Sequence, residues 1–538
     1  MTNSPVAGAS TPDRSLLPVV WCLLALIAAA MLASALAGQS YNYPHAWVSA
    51  HFATIGRSFA ETGYAALGFV PVQNNAPLTS SPDVYLNWPP LYGMVVGAVF
   101  RIFGESETTQ HLLALALNFG SAALIYAIIR LSGTRLAAAL GCVAFLTAPV
   151  IMRYGAVGSQ LHLAIFFTLA SLYAYLQATG PQQSSRLKWS VLGAVLFGLA
   201  AMSSWEPVLA APVLFAVGLI ARDRFAILLS VLFGIAGAVV VAGIFILYGM
   251  QVPYFADAIL ERLRLRSGMA ADYDAQGAAI FSSPHFLQEK AETKGVIGWR
   301  YLPRVFLERP LLAGPLGLAG LAGTLVFLRT CAHGRARGVL VPVAAFVGIY
   351  VLWAALMPNH MMIHDYQVLF LAPAGALAFG LLIDTAPRIW TALDEPQEGP
   401  GRRQRLVLGI LAVAFVLAAA DRLQWLRADR TGDDRLVEFA RSIGDAAPQC
   451  SVVTVPYRSM VPVYYADRHV IRAVSDEKTL AQNRAAIEAL CPHCPVYAAV
   501  PEGYRSRFGT LLADTRTTIP LRHGVLVPLK SATQPGRC

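Results

Sequence analysis

Residues 39–104 read QSYNYPHAWVSAHFATIGRSFAETGYAALGFVPVQNNAPLTSSPDVYLNWPPLYGMVVGAVFRIFG. This stretch is the first long polar interruption between apolar segments, and it contains two histidines, two tryptophans, an acidic turn and a Pro-Pro pair. Apolar runs long enough to cross a bilayer lie before and after it, so it forms a loop on one side of the membrane. We expect this loop to form one wall of a functional site that faces away from the cytoplasm.

The composition of the chain is that of an integral membrane protein. Of its 538 residues, 56% are hydrophobic and 13% are charged, which is far from the composition of a soluble domain. The formal net charge of +10 comes from Lys and Arg residues that stand mainly in short gaps between apolar runs. Such residues indicate topology, and without an Arg-rich tail or zinc-knuckle spacing we expect no nucleic-acid partner.

Eleven apolar runs near the membrane-crossing length predict about eleven transmembrane helices in residues 16–421. The first run is longer than the core of a cleavable signal peptide, so we expect a retained helix after a cytoplasmic N-terminus at 1–15. The eleven runs are 16–37, 111–131, 136–152, 161–178, 190–204, 207–221, 225–250, 310–328, 339–357, 366–383 and 406–420.

The segment 91–103 decides the orientation of everything after it. It is apolar but short for a span and contains Arg101, so we expect it to lie in the membrane interface. The basic gaps then share the side of the N-terminus, which the positive-inside rule makes cytoplasmic. The outer side contains a first loop at 38–110 with interfacial helices, a second long loop at 251–309, and the C-terminus.

Residues 422–538 change to an ordinary charge density and contain no spanning run. β-rich stretches at 450–455, 469–474 and 495–500 alternate with helical ones at 435–443 and 477–490, which predicts a small extracytoplasmic α/β domain. A structural cap over the outer face is favoured over a second catalytic unit.

Four cysteines belong to this C-terminal segment, namely Cys450, Cys491, Cys494 and Cys538. An even number on the oxidising side is consistent with disulfides, whose pairing stays open. The Cys491–Cys494 spacing is that of a thiol redox motif, but no thioredoxin-like pattern surrounds it, which favours a structural role.

Candidate catalytic residues lie in the first outer loop. Asp83 stands in a Ser-Ser-Pro-Asp turn, where it is either a base or metal ligand or a solvated turn carboxylate. His45 can accept a proton near neutral pH. Trp47 and Trp88 are either sugar-stacking residues or interface anchors, and Asn87 beside Trp88 is a substrate-binding candidate.

Candidate substrate-binding residues lie in the later outer loops. Glu206 either starts the helix opened by Pro207 or belongs to the site. Basic residues on the outer side are exceptional and suit a phosphate group, although a solvated helix face paired with nearby aspartates is the alternative; they are Arg262, Arg264, Arg266 and Arg300. His364 and Asp365 either position the substrate head group or form a plain helix-end cluster. Their spacing establishes no metal site, and a divalent cation stays open.

Together these features resemble the GT-C class of membrane glycosyltransferases. The segments that carry the resemblance are residues 45–63, the run Pro89-Pro90-Leu91 through Phe103-Gly104-Glu105, and residues 363–377. Within the class, the chain is similar to bacterial relatives of the dolichyl-phosphate-mannose protein mannosyltransferases and of the lipid A aminoarabinose transferase. The likeness covers most of residues 15–385.

The resemblance implies a polyprenyl-phosphate-linked sugar donor and an inverting transfer to an envelope glycan, lipid or protein on the outer face of a bacterial inner membrane. It also implies an acidic residue near the start of the first outer helix. Residues 42–46 read NYPHA and contain no such acid, nor does the second outer loop, which leaves Asp83 or His45 as substitutes.

Two other functions stay open. A transporter or flippase of a lipid-linked substrate would need polar residues or broken helices at the centre of several spans and inverted repeats. The span centres are largely apolar and no repeat is visible. A non-catalytic envelope-assembly protein would keep the fold and lose the acid.

Overall fold

The computed structural model describes residues 13–36, 40–41, 46–74, 83–180, 185–253, 255–267, 301–330, 337–393, 409, 420, 434–457, 459–514 and 517–531. His45, Arg300 and the expected span 406–420, apart from residues 409 and 420, lie outside this part of the chain. The side chain of Arg262 is also outside it.

The described part of the membrane domain is mainly helical, and an isolated antiparallel bridge joins Val72 and Val84 in the segment between α2 and α3. Its α-helices are α1 Asp13–Leu36, α2 Ala46–Thr62, α3 Leu91–Phe103, α4 Glu107–Arg130, α5 Arg135–Leu146, α6 Pro149–Tyr154, α7 Gln160–Thr179, α8 Arg186–Ser203, α9 Ala210–Ala221, α10 Arg224–Gln251, α11 Phe255–Arg266, α12 Gly314–Thr330, α13 Arg337–Leu356, α14 Pro358–Ile363 and α15 Leu371–Leu393. Short 3-10 segments precede α9 (Glu206–Leu209), α12 (Arg309–Ala313) and α15 (Asp365–Phe370).

Eight helices in the described ranges are long and apolar enough to cross a membrane. They correspond to eight of the eleven expected spans. Two further spans correspond to shorter apolar helices, Arg135–Leu146 and Glu206–Ala221, and the last lies outside the description except for two residues. The polytopic all-α fold is confirmed, whereas the count of eleven and the orientation stay predictions.

The expected span 136–152 is interrupted in the structure. Helix α5 ends at Leu146 and α6 begins at Pro149. A proline cannot donate the next helical hydrogen bond and disfavours helical geometry in the residue before it. The interruption turns the chain toward the polar groups that surround the 3-10 segment before α15.

Helix α3 packs along α2 and is shorter than the helices that are long enough to cross a membrane. Its position in the membrane interface stays a prediction. Its 13 residues are about 20 Å long, compared with a hydrocarbon core of roughly 30 Å. The two helices approach closely at Gly97, where a Cβ would lie 2.8 Å from Cβ of Phe59 and 3.0 Å from the carbonyl oxygen of Gly56. The absence of a side chain at residue 97 therefore sets the spacing of α2 and α3.

Gly97→Val is expected to destabilise the first outer loop by about 1–3 kcal/mol, because the added methyl groups overlap α2. Thermal unfolding of the purified protein should show a lowered midpoint. Ala98→Val is the matched control, since Ala98 is exposed on the other face of α3. Equal midpoints for the two variants would contradict this account of the packing.

The C-terminal domain contains α16 Arg435–Ala446, α17 Val461–Ala466, α18 Glu477–Leu490 and α19 Gly509–Asp514 around one sheet. Its strands are β1 Val452–Thr454, β2 His469–Ile471, β3 Val496–Pro501, β4 Ile519–Leu521 and β5 Gly524–Lys530, in the order β2-β1-β3-β5-β4. Strand β1 is parallel to β2 and β3, and β5 is antiparallel to β3 and β4. The expected α/β domain is confirmed, and the β4–β5 hairpin extends it.

A disulfide joins Cys491 and Cys494 between α18 and β3. It closes the turn that leads into the central strand. Cys538 lies outside the described residues.

The C-terminal domain docks on the first outer loop through buried polar contacts. Asn74 donates from Nδ2 to the carbonyl oxygen of Val470 at 3.0 Å and accepts from the Val470 N–H at 3.2 Å, so its side-chain amide pairs with the backbone of the edge strand β2. Arg57 of α2 contacts Glu105 at 2.5 Å and Asp467 at 3.0 Å, and its guanidinium lies 4.6 Å from the ring centre of Tyr464. The domain is therefore attached to the loop that precedes α3.

Candidate active site

The candidate site is centred on Arg266, the last residue of α11. Its guanidinium carbon lies 4.8 Å from the ring centre of Trp88, a cation–π distance. Burial lowers the pKa of Arg266, while Tyr85, Tyr366 and Glu206 oppose this effect. An arginine remains protonated under such a shift because its ordinary pKa is above 12. The site thus holds a fixed positive charge against an aromatic face.

Aromatic side chains form one wall around this charge. The rings of Trp88 and Trp353 are 6.2 Å apart, and the ring of His360 lies 5.5 Å from that of Trp88. Trp353 donates from Nε1 to Nδ1 of His360 at 3.2 Å. The hydroxyl of Tyr248 donates to the carbonyl oxygen of Trp88 at 3.4 Å. These contacts fix the orientation of the wall.

Glu206 stands at the start of a 3-10 segment, where a membrane helix opens beside the first outer loop. Trp205 donates from Nε1 to the carbonyl oxygen of Asn87 at 2.8 Å, which attaches this corner to the loop. Glu206 is fully buried, its Oε2 accepts a hydrogen bond from Ser204, and Gln367 and Arg266 lie close enough to act on its charge. The structure therefore gives Glu206 a position in the site.

The segment between α13 and α15 is held by Arg309. Its guanidinium donates to the carbonyl oxygens of Met361, Met362 (2.7 Å) and His364 (2.8 Å). Asp365 accepts from the hydroxyl of Tyr154 at 2.8 Å. His364 lies beside His360, with ring centres 4.6 Å apart. This segment carries two predicted residues, His364 and Asp365, to the edge of the site.

Several buried polar atoms near Arg266 have no hydrogen-bond partner among the described residues. They are Nε2 of His51, Oε1 of Glu206, Nε2 of His360 and both amide atoms of Gln367. Buried polar groups without partners are rare in native proteins. We call the residues that carry these atoms, together with Arg266 and Trp88, the chamber.

The two histidines of this chamber are neutral near pH 7. Burial, then Arg472, lowers the pKa of His51 well below its ordinary value. Burial, then His364, Arg266 and Arg309, lowers the pKa of His360 in the same direction. A neutral imidazole can donate or accept a hydrogen bond, so both rings suit uncharged hydroxyl groups.

Asp83 lies at the junction with the C-terminal domain. Its Oδ1 accepts from Nε2 of Gln73 at 2.7 Å, and its Oδ2 is 3.5 Å from the guanidinium of Arg472. The carboxylate of Asp83 therefore takes part in the contact between the first outer loop and the C-terminal domain. Its expected role as a base stays a prediction, as does that of His45.

Two of the remaining predicted residues are exposed. Trp47 is 40% exposed and Arg264 is exposed. The sequence analysis did not name Gln367 and Tyr366 as site residues. The pattern that could have identified them is a pair of polar side chains at the start of an apolar span. No group of three metal-ligating side chains occurs within the described ranges, and a divalent cation stays an open prediction.

The fold and the site together define a multi-pass membrane protein with a polar chamber under an outer loop and a docked α/β domain. A protein-family model described as dolichyl-phosphate-mannose-protein mannosyltransferase matches residues 87–248. A search of curated proteins finds no match.

Solved structures of two kinds are similar to the chain. ArnT from Cupriavidus metallidurans bound to undecaprenyl phosphate has a TM-score of 0.61 and 17% identity, covering 94% of this chain and 98% of that one. The apo oligosaccharyltransferase from Archaeoglobus fulgidus has a TM-score of 0.56 and 12% identity, covering 91% and 70%. The resemblance to the GT-C-type membrane glycosyltransferases is therefore confirmed at the level of the fold.

Proposed function

We propose that this protein transfers a glycosyl group from a polyprenyl-phosphate-linked sugar to a cell-envelope acceptor on the extracytoplasmic face. The observation that carries the proposal is the charge of Arg266, partly buried against Trp88 and surrounded by unpartnered polar atoms. A donor of this class combines a phosphate, a sugar and a lipid tail, and each part has a matching surface.

Arg266 is suited to bind the phosphate of the donor. No salt bridge to Arg266 occurs among the described residues, and its guanidinium lies over the ring of Trp88. Arginine binds phosphate oxygens through parallel charged hydrogen bonds. A partly buried cation without a salt bridge is stabilised when a phosphate places a negative charge beside it.

The uncharged side chains of the chamber are suited to bind the sugar of the donor. The neutral rings of His51 and His360 and the amide of Gln367 supply hydrogen-bond donors and acceptors for hydroxyl groups. Trp88 and Trp353 add flat apolar faces, which suit the C–H face of a pyranose ring. The lipid tail belongs between the spans, where the apolar faces of helices such as α8 and α10 are exposed.

The similar structures support the same ligand class. ArnT of C. metallidurans is described as bound to undecaprenyl phosphate, and the A. fulgidus oligosaccharyltransferase AglB as bound to an inhibitory peptide and a dolichol-phosphate. Both ligands are polyprenyl phosphates. The sugar and the acceptor of this chain remain to be named by experiment.

Undecaprenyl phosphate is expected to stabilise the purified protein in nanodiscs against thermal unfolding, because it binds the folded state. Undecaprenol is the matched control, since it keeps the tail and lacks the phosphate. Equal stabilisation by the two lipids would contradict phosphate recognition.

Transfer itself is tested by lipid and glycan analysis of a deletion strain. We expect a polyprenyl-phosphate-sugar to accumulate on the outer leaflet while one envelope acceptor loses that sugar. Accumulation on the inner leaflet would indicate a flippase, and an unchanged lipid pool would indicate a non-catalytic assembly role.

A further inference from the structure

The acidic residues of the outer face differ in what their oxygens contact. Glu105 is bound by Arg57, Glu107 accepts from the hydroxyl of Tyr465 at 2.7 Å, and Asp365 accepts from Tyr154. Asp83 accepts from Gln73 and faces Arg472. Each of these carboxylates has a charged or hydroxyl partner that holds the structure together.

Glu206 differs from these carboxylates because it is fully buried. Oε2 accepts from Ser204, whereas Oε1 is buried with no partner in the described part of the chain. A buried carboxylate oxygen without a hydrogen bond is costly, and such cost is retained in membrane proteins mainly at functional positions. The carboxylate lies within reach of the amide of Gln367 and of the charge of Arg266.

Glu206 and Arg266 are suited to opposite ends of one displacement. A transfer needs a positive group at the departing phosphate and a proton acceptor at the attacking hydroxyl. We infer that Glu206 is the catalytic base of this chain, an inference that rests on the proposed function. It provides a carboxylate outside the first outer loop, where residues 42–46 contain none.

The step balances as follows. The acceptor oxygen attacks the anomeric carbon and forms the new C–O bond, while its proton passes to Oε1 of Glu206. The bond between the anomeric carbon and the phosphate oxygen breaks, and its electron pair leaves on the polyprenyl phosphate, whose charge Arg266 stabilises. The anomeric configuration inverts, and Glu206 later returns the proton to water.

Glu206→Gln tests this inference because it preserves the shape and the acceptor for Ser204 while removing the base. We expect kcat to fall at least about 100-fold, the low end of general-base contributions. Binding of undecaprenyl phosphate should change less than about 3-fold. Asp257→Asn is the control, since Asp257 is exposed on α11. Asp83→Asn is assayed in parallel as the test of the alternative base.

The outcomes separate the inference from the proposed function. A wild-type rate in Glu206→Gln, or a 100-fold loss in Asp83→Asn alone, overturns the assignment of the base while transfer stands. Wild-type protein that binds the lipid but transfers no sugar from extracted donors overturns both.

A second variant covers the case in which Glu206→Gln does not fold. Ser204→Ala removes the hydrogen bond to Oε2 and so disfavours the charged carboxylate. The acid limb of the kcat–pH profile, in which kcat rises with pH, should then move to higher pH. The value of kcat reached at high pH should stay unchanged. A merely structural role for Glu206 would leave the position of that limb unchanged, which overturns the inference.

Discussion

Arg266→Ala is expected to weaken the binding of undecaprenyl phosphate roughly 10- to 150-fold. Hydrogen bonds to charged groups contribute about 1.5–3 kcal/mol, and each 1.4 kcal/mol changes Kd tenfold. The substitution also removes the cation from the face of Trp88. Sugar transfer should fall further than binding, since the charge on the departing phosphate grows in the transition state. Kd is measured by titration in nanodiscs and kcat with an extracted donor.

Two further variants distinguish specific phosphate binding by Arg266 from general attraction by charge. Arg266→Lys keeps the charge but loses the planar fork, so we expect partial binding. Arg264→Ala removes an exposed arginine from the same helix and should leave Kd within about 2-fold, because exposed charges contribute little. If Arg264→Ala and Arg266→Ala weaken binding equally, α11 attracts the lipid by general charge alone.

Arg57→Ala is expected to undock the C-terminal domain from the first outer loop. Burial alone would lower the pKa of Arg57, but its hydrogen bond and charge contacts with Glu105 and Asp467 raise it, which shows how strongly the surroundings favour the cation. The side chain is 9% exposed, against 28% for Glu105 and 55% for Asp467. Removing one partner of a buried pair costs about 3–5 kcal/mol, and the partial exposure of the acids favours the lower value.

Hydrogen exchange is the measurement for Arg57→Ala. Amides of α17 and β2 should lose protection, while amides of the central strand β3 should keep theirs, because the sheet itself stays intact. Arg505→Ala, an exposed substitution on the same domain, is the control. Uniform loss of protection through β3 would instead mean that the domain unfolds without its docking surface.

The polytopic fold and the C-terminal domain could be predicted because both depend on local pattern. An apolar run of bilayer length leaves its backbone no alternative to a helix. The strands β1, β2 and β3 carry buried, β-branched residues such as Val452 and Val453. The break before Pro149 follows from the proline itself, but a hydropathy pattern does not register it. The short strand β4 is likewise invisible in that pattern.

The first outer loop shows where sequence reasoning about the site stopped. Its spacing identified Trp88 and Asn87, and both contact the chamber or its supporting corner. Asp83 is one of several acids in this loop, and it stands in a turn. Its contact with Arg472 joins residues nearly four hundred positions apart, and no local pattern encodes such a distance.

The sequence by itself determined that this is a membrane protein with a long polar loop between its first spans and a small α/β domain in its C-terminal part. These properties follow from composition and periodicity, which act over short stretches of chain. The tertiary structure alone decided that Arg266 lies over the ring of Trp88 and that Glu206 is buried close to Gln367. Those relations depend on how α11, the corner at Trp205 and the segment before α15 pack together, because burial and hydrogen-bond satisfaction are properties of the assembled chain.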